Sequence, residues 1–291
     1  MTEIAGKVAL VTGGGSGIGR GLVLALANEG AAVVVVDLIE ERASAVVDEV
    51  KTLGGTAFAL TADVSKRADV RRMKADANDA LGTVSLLFAN AGVTWFDRLT
   101  DMNADDVDWV IHVNLMGALY CVETFLPDMI DASDGHVFAT ASIAGLIPGW
   151  VPNHTPYSIS KAGIIAMMLN LHQELAGTGV GSTVYCPRAI RGRIGESYQH
   201  RPTQFGGPID RPFKIDEEWS TKNAVRTLEP EEVGPMAMRA VRHNSPILVD
   251  HSNQRQHFFE HYVDLATAAF DEAEAWERTH PSLQDPNANT T

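Results

Sequence analysis

Two groups of residues in this sequence have the types and spacing that chemistry requires. The first is Thr12-Gly13-Gly14-Gly15-Ser16-Gly17-Ile18-Gly19, which follows a short β-branched run and opens a helical pattern. Glycines at such a turn let the backbone approach a pyrophosphate, and the helix N-terminus supplies N–H donors and a positive dipole. Asp37, 18 residues past Gly19, closes the next apolar run. A carboxylate there can accept hydrogen bonds from both ribose hydroxyls of an adenosine and repels a 2′-phosphate. Leu38 stands where an arginine would serve NADP, and Ser16 is not basic, so the pattern favours NAD. A plain strand-to-helix turn is the alternative reading of the glycines.

The second group is Tyr157-Ser158-Ile159-Ser160-Lys161. Residues i and i+4 of a helix share a face, so the phenol and the ammonium are neighbours. A nearby cation favours phenolate and is expected to lower the tyrosine pKa, which suits Tyr157 to exchange a proton with an alcohol. Ser142, at the end of a strand, and Asn114, within the apolar stretch Ile111-His112-Val113-Asn114-Leu115-Met116-Gly117, add polar groups to this set. An unpartnered amide would be costly in that stretch, so Asn114 is either functional or a satisfied buried group.

The elements that must position these residues alternate along the chain. Val8 to Thr12, Ala32 to Asp37, Thr56 to Thr61 and Val84 to Ala89 read as strands. The intervening Gly17 to Asn28, Glu40 to Leu53 and Lys66 to Leu81 read as helices. The alternation continues with a helix from about Ala104 to Met129, a strand from His136 to Thr140, a helix from Pro156 to Leu175 and a strand from Gly181 to Cys186. Apolar strands separated by helices predict a parallel sheet covered on both faces, because parallel strands need crossovers. Residues 188–226 lose this periodicity and read as a long substrate loop with one short helix. Glu229 to Arg242 reads as a helix, Pro246 to Asp250 as a last strand, and 253–278 as an extra C-terminal helix. Phe258, Tyr262, Ala266, Phe270 and Ala273 share one face of it. Residues 1–280 are read as one domain and 281–291 as a disordered tail.

Composition narrows the class of function. The 291 residues carry 23 Lys and Arg against 37 Asp and Glu, a formal charge of −14. Such a chain repels phosphate backbones and anionic lipid, which argues against a nucleic-acid or membrane partner. Two cysteines, Cys121 and Cys186, are too few for a disulfide framework, and the N-terminal residues carry no signal-peptide pattern. A cytoplasmic enzyme acting on a small molecule is the expectation.

These pieces, in this order, make the sequence resemble the single-domain short-chain dehydrogenase/reductase family over about residues 6–250. The matching residues are Thr12 to Gly19, Asp63-Val64, Asn90-Ala91-Gly92, Asn114, Ser142, and Tyr157 with Lys161. The resemblance implies a Rossmann-type, doubly wound sheet of seven parallel strands flanked by helices, with NAD or NADP across its C-terminal edge. It also implies the catalytic residues. Tyr157 would be general acid/base, and Lys161 would lower its pKa and hold the nicotinamide ribose. Ser142 would hydrogen-bond the substrate oxygen, and Asn114 would anchor a water in a proton relay. Asp63 and Val64 would contact adenine, and Asn90 and Gly92 would line the cleft. With Gly13, Ser16, Gly17, Ile18, Gly19, Asp37, Leu38, Tyr157 and Lys161 they make up the expected cofactor set.

The sequence also departs from that family's pattern. Pro-Gly and a following Thr usually hold the nicotinamide carboxamide, but here Pro187 is followed by Arg188, and Gly192 or a neighbour stands at the threonine position. Pro187 and the main chain of Ile190 remain available for that task. Ser142 and Tyr157 are 15 apart, about two more than the family pattern, which places Trp150 and His154 in an arch at the edge of the substrate pocket. A solvated loop histidine is the alternative for His154. Residues 188–214 hold six basic side chains (Arg188, Arg191, Arg193, Arg201, Arg211, Lys214) and two acidic ones. One or two of the arginines are candidates to meet the cofactor pyrophosphate or an anionic substrate group, Arg188 at the pocket among them; a solvated loop is the other reading.

The run 190–205 and the C-terminal extension are similar to bacterial dehydrogenases of aryl secondary alcohols, including Cα-dehydrogenases. The expected reaction is NAD-dependent hydride transfer with a bulky or aryl secondary alcohol or ketone. An inactive nucleotide-binding scaffold or sensor, and a reductase of acyl-carrier-bound ketones, are the alternatives. Relatives pair the helix around Trp109 to Val122 and the Tyr157 helix across a seam, which implies a homodimer or homotetramer.

Overall fold

Short runs of Val, Leu, Ile and Ala between helical stretches become the strands β1 (Val8–Thr12), β2 (Ala32–Asp37), β3 (Thr56–Thr61), β4 (Leu86–Ala89), β5 (Gly135–Thr140), β6 (Val180–Cys186) and β7 (Ile247–Val249). The computed structural model describes residues 2–210 and 212–280. All seven strands join one parallel sheet in the order β3-β2-β1-β4-β5-β6-β7. The alternating pattern predicted the parallel sheet, and the family resemblance implied this Rossmann-type, seven-stranded form.

Side chains alternate across the pleat, so each strand feeds two cores. Leu10, Val34, Val36 and Val137 face α3 (Arg67–Leu81), α4 (Ala104–Ile111), α5 (Gly117–Ala132) and α7 (Thr155–Glu174), meeting Met73, Trp109, Phe125 and Met168. Ala9, Val11, Val33 and Val35 face α1 (Gly17–Asn28), α2 (Glu40–Thr52) and α9 (Pro230–Arg242), meeting Leu22, Val47 and Val241. The strand order reverses between β1 and β4, and the crevice at such a switch point, outside the carboxyl ends of the strands, is where this architecture takes ligands.

The stretch read as one helix from about Ala104 is divided. A π-helical turn, His112–Met116, separates α4 from α5. A π turn inserts one residue without changing composition, so periodicity alone does not announce it. By length and hydropathy the 29-residue run Ala104–Ala132 could cross a membrane, but Trp109, Val110, Phe125 and Met129 are buried against the sheet.

Residues 188–226 are more ordered than their sequence suggests. They contain 3-10 turns at Ile194–His200 and Thr203–Phe205 and the short helix α8 (Glu217–Lys222). Beyond β7 the chain forms a 3-10 turn, α10 (Arg255–Phe258), a second π turn at Phe259–Val263, and α11 (Asp264–Thr279). No side chain of α11 is buried, and Leu265, Phe270 and Trp276 are exposed. The tail expected at 281–291 lies outside the described residues.

His136 in β5 is fully buried, with its ring nitrogens at 3.0 Å from Thr183 Oγ1 and 3.2 Å from Thr2 Oγ1. Burial, reinforced by nearby His172, lowers its pKa from 6.5 to about 3. Between those values the unfolded chain binds a proton that the folded one refuses. Stability is therefore complete above about pH 6.5 and lost as pH falls, by about 1.4 kcal/mol per pH unit for one such group. Urea unfolding from pH 7 to pH 5 is expected to show this decline, and His136→Gln to make it shallower. An equal slope in the variant would assign the acid sensitivity to other groups.

Candidate active site

The glycine turn, the end of β2 and the start of α7 line one cleft, together with Asp63, Val64, Asn90, Gly92, Pro187 and Ile190. Gly13 and Gly19 leave no room for a side chain. A Cβ at Gly13 would come within 2.9 Å of Ala91 Cα, and one at Gly19 within 2.0 Å of the Gly13 carbonyl. Gly13 and Gly17 also adopt φ of 63° and 50°, conformations that glycine takes without strain. Asp37 accepts hydrogen bonds from the N–H of Gly15 and of Ile39, both at 3.0 Å. The carboxylate is thereby fixed at the cleft edge beside Leu38.

Asn90 ties three strand ends together. Its Nδ2 donates to the Thr12 carbonyl, its N–H to Thr12 Oγ1 (both 3.0 Å), and its Oδ1 accepts from Thr140 Oγ1 at 2.9 Å. Asp63 Oδ1 is held by the Ser65 N–H and hydroxyl at 3.0 and 2.6 Å. Its other oxygen is buried without a hydrogen bond among the described residues, 3.4 Å from Lys66 Nζ.

At the other end of the cleft, Tyr157 and Lys161 stand on successive turns of α7, with Lys161 Nζ 5.6 Å from the centre of the Tyr157 ring. Lys161 Nζ donates to the Thr140 carbonyl at 2.8 Å. Ser142 caps the short helix α6 (Ile143–Leu146), its Oγ accepting from the Ala144 N–H, and it also hydrogen-bonds the Tyr157 side chain. Asn114 sits in the π turn and is fully buried. Its Oδ1 accepts from the Val93 N–H at 2.8 Å, and its Nδ2 reaches the Val93 carbonyl and Ser160 Oγ, both at 3.1 Å. Gly92 leaves little room beside the pair, since a Cβ there would lie 3.3 Å from Lys161 Nζ and 3.4 Å from Asn114 Oδ1.

Burial moves the two titrating groups in opposite directions. It pushes Tyr157 up to about 12, against the Ser142 hydrogen bond, and pulls Lys161 down to about 8. The expectation of a phenol acidified by its lysine is therefore corrected: desolvation of the phenolate outweighs the hydrogen bond, and the side chain that lowers the Tyr157 pKa is Ser142. A tyrosine and lysine with perturbed pKa values at a cleft edge can still pass a proton to and from a substrate oxygen.

The expected substrate residues separate. His154 is buried with its ring flat on Tyr157 (4.2 Å between centres, 7°) and on Phe96 (3.7 Å, 12°). Its Nε2 lies 2.7 Å from Thr94 Oγ1, and burial lowers its pKa to about 3, so the ring is neutral. It is not a solvated loop histidine. None of the three lines the cleft as expected: His154 packs against Tyr157, and Trp150 and Arg188 turn elsewhere. The Arg188 guanidinium lies over Trp150 (4.8 Å) and Trp219 (5.4 Å) and donates to the Asn223 carbonyl at 2.9 Å. Its backbone N–H points to Asp250, which also receives the Tyr185 hydroxyl.

The other basic residues of 188–214 are mostly neutralised. Arg191 pairs with Glu229, and Arg193 lies 3.6 Å from Glu196, both at the cleft edge. Arg201 is buried against Asp106, its guanidinium also reaching the Phe205 carbonyl. It anchors the loop to α4 rather than meeting an anionic ligand. Arg211 lies outside the described residues.

Two further side chains at the site carried little or no signal in the sequence. Ser160 connects Asn114 to the Tyr157 carbonyl, which its hydroxyl reaches at 2.7 Å. Arg42 lines the cleft near Asp37 and contacts His200 Nε2 at 3.0 Å. Its position five residues beyond Asp37, in the first turn of α2, was the available hint.

This arrangement, a glycine turn at the switch point of a parallel sheet with a Tyr-Lys pair across the same cleft, defines a dinucleotide-type oxidoreductase. Comparison with known proteins makes the class specific. The short chain dehydrogenase family model matches residues 7–202. A Sphingobium protein, C alpha-dehydrogenase, is 30% identical over 266 residues, 90% of this chain and 86% of its own. Oxidoreductase UcpA of Salmonella typhimurium is 31% identical over 238 residues, 81% of this chain and 88% of its own. The crystal structure of a Burkholderia phymatum short chain dehydrogenase/reductase in complex with NAD superposes with a TM-score of 0.85 at 29% identity, covering 92% of this chain and 97% of that one. The chain belongs to the short-chain dehydrogenase/reductase family and is an oxidoreductase.

The buried Arg201–Asp106 pair generates a stability prediction. Arg201→Ala would strand a buried carboxylate, at a cost of about 3–5 kcal/mol. Urea denaturation is the measurement, and a loss under about 1 kcal/mol would mean that the pair does not anchor the loop.

Proposed function

We propose that this protein transfers a hydride between NAD and a secondary alcohol or ketone on a bulky, aromatic molecule. The observation that carries the proposal is that the glycine turn with Asp37 and the Tyr157–Lys161 pair line the same cleft. The residues present fit a nicotinamide dinucleotide. Gly13 and Gly19 keep the turn free of side chains, and the buried Asp63 Oδ2 offers an acceptor without a hydrogen bond for an adenine amine. Asp37 and Leu38 would meet the adenosine ribose, with Ser16, Gly17 and Ile18 along the pyrophosphate and Val64 beside the adenine. Asn90, Gly92, Lys161 and Pro187 would enclose the nicotinamide end.

When bound, the dinucleotide supplies a ring carbon that accepts or returns a hydride, and its oxidised ring adds a positive charge that favours phenolate. The protein's own residues do the rest. In oxidation, Tyr157 takes the hydroxyl proton while Ser142 hydrogen-bonds the same oxygen. Lys161, its Nζ fixed by the Thr140 carbonyl, would hold the nicotinamide ribose. Asn114, linked through Ser160 to the first turn of α7, would position a water that carries the proton onward. The Ile190–Leu228 bridge uses the Ala189 carbonyl and the Arg191 N–H. Ile190's own main-chain groups therefore stay outside it and can hold the carboxamide despite the Arg188 substitution.

The preference for NAD rests on the Asp37 carboxylate. Arg42 lies at the same end but already contacts His200 and stands 3.9 Å from Glu196. The aromatic substrate class is supported by rings that run on from Tyr157 through His154 and Phe96 to Phe213, which is 5.1 Å from Phe96 and 6.0 Å from Trp95. The similar Sphingobium protein is named for Cα dehydrogenation.

Assembly as a homodimer or homotetramer is supported by the exposed Leu265, Phe270 and Trp276 of α11 and Leu119 of α5. A cytoplasmic setting fits the two buried free thiols. Sedimentation at micromolar concentration is expected to give more than a monomer; a monomer would contradict the assembly.

Steady-state kinetics with both dinucleotides on aryl secondary alcohols test the rest. Tyr157→Phe is expected to keep NADH binding and lose at least ~100-fold in turnover, and the wild-type oxidation rate to rise with pH as phenolate becomes accessible. Asp37→Ala is expected to relax the NAD preference. Near-normal turnover in Tyr157→Phe would remove the mechanism, and a wild-type preference for NADP would overturn the reading of Asp37.

A further inference from the structure

Outside the cleft, three side chains on the C-terminal helical segment converge. His257, Glu260 and His261 bring ligand atoms within 4.8 Å of one another. Their spacing of three and four residues puts them on one helical face. His257 Nδ1 makes no hydrogen bond among the described residues and lies 3.7 Å from Glu260 Oε2. Glu260 Oε1 accepts from Gln256 Nε2 at 2.7 Å, which steers the other oxygen toward His257. The His257 ring is fixed by stacking on Trp150 at 4.9 Å and 24°, while Glu260 and His261 are exposed and free to adjust.

We propose that His257, Glu260 and His261 form a site for a divalent transition-metal ion of the zinc class. Two imidazoles and one carboxylate suit Zn2+, Co2+, Ni2+ or Cu2+, whereas Ca2+ and Mg2+ demand oxygen donors. Bonds of about 2.1 Å at tetrahedral angles put ligand atoms roughly 3.4 Å apart. The present spread closes to that by rotating Glu260 and His261, without moving the packed His257. Three protein ligands leave a remaining position for water. None of the three residues lines the dinucleotide cleft. The ion would instead brace α10 and the following π turn against Trp150, and through Trp150 against Arg188. The site is independent of the proposed reaction.

The test uses the full-length, tag-free protein after chelator treatment, titrated with Zn2+ against a chromophoric competitor. Wild type is expected to bind a single ion per chain in the micromolar range. His261→Asn and Glu260→Gln, both at exposed positions where folding is not at stake, are each expected to weaken binding at least ~10-fold, because even groups that merely support a metal ligand contribute that much. His243→Asn, at an exposed histidine outside the cluster, should leave it unchanged. Cu2+ should quench tryptophan fluorescence in wild type, and less in Trp150→Phe. Absence of Zn2+ binding, or binding that is unaltered by both His261→Asn and His257→Asn, overturns the site.

Discussion

An ammonium group held inside a protein must be paid for with a partner, and for Lys161 that partner is the carbonyl of Thr140. The same residue's hydroxyl donates to Asn90, whose amide holds the carbonyl of Thr12. One chain of hydrogen bonds thus runs from α7 through the carboxyl ends of β5, β4 and β1. Those strand ends flank the reversal of strand order, so the contact that satisfies the lysine also sets the distance between the glycine turn and the phenol. The glycines matter for the same reason: Gly13 and Gly92 let Ala91, Lys161 and Asn114 approach as closely as this network requires.

Desolvation dominates the electrostatics of the site. A phenol pushed up to about 12 and an ammonium pulled down to about 8 are both biased toward their neutral forms, as expected where water is excluded. For the proposed reaction, proton transfer would then depend on charges brought to the site by bound molecules, together with the Ser142 hydrogen bond. The neutral, stacked His154 fits this picture. It extends the apolar wall beside Tyr157 without adding a charge, and Thr94 holds its ring in place.

The substrate side is shaped by residues that do not reach it. Arg188, in the position where a small residue is usual for the family, is sequestered between Trp150 and Trp219 and pinned through its N–H to Asp250. Arg201 fixes the following segment to Asp106. Two arginines that looked like ligand contacts serve as fasteners, and the loop they hold carries Tyr198 and Phe213 into contact with Trp95.

Local chemistry was legible in the sequence because its determinants are local. Strand and helix periodicity, the glycine turn ending in a carboxylate 18 residues on, and the Tyr157–Lys161 spacing all depend on neighbours within a few turns of chain. They were enough to anticipate the parallel sheet and the family. Tertiary structure decided what depends on residues far apart. The π turn that aims Asn114 at Ser160, the destination of each arginine and the stacking of His154 between Phe96 and Tyr157 leave no periodic trace. The sign of the Tyr157 shift was decided in the same way, because desolvation is set by everything packed around a group, whereas the sequence displayed only the nearest charge.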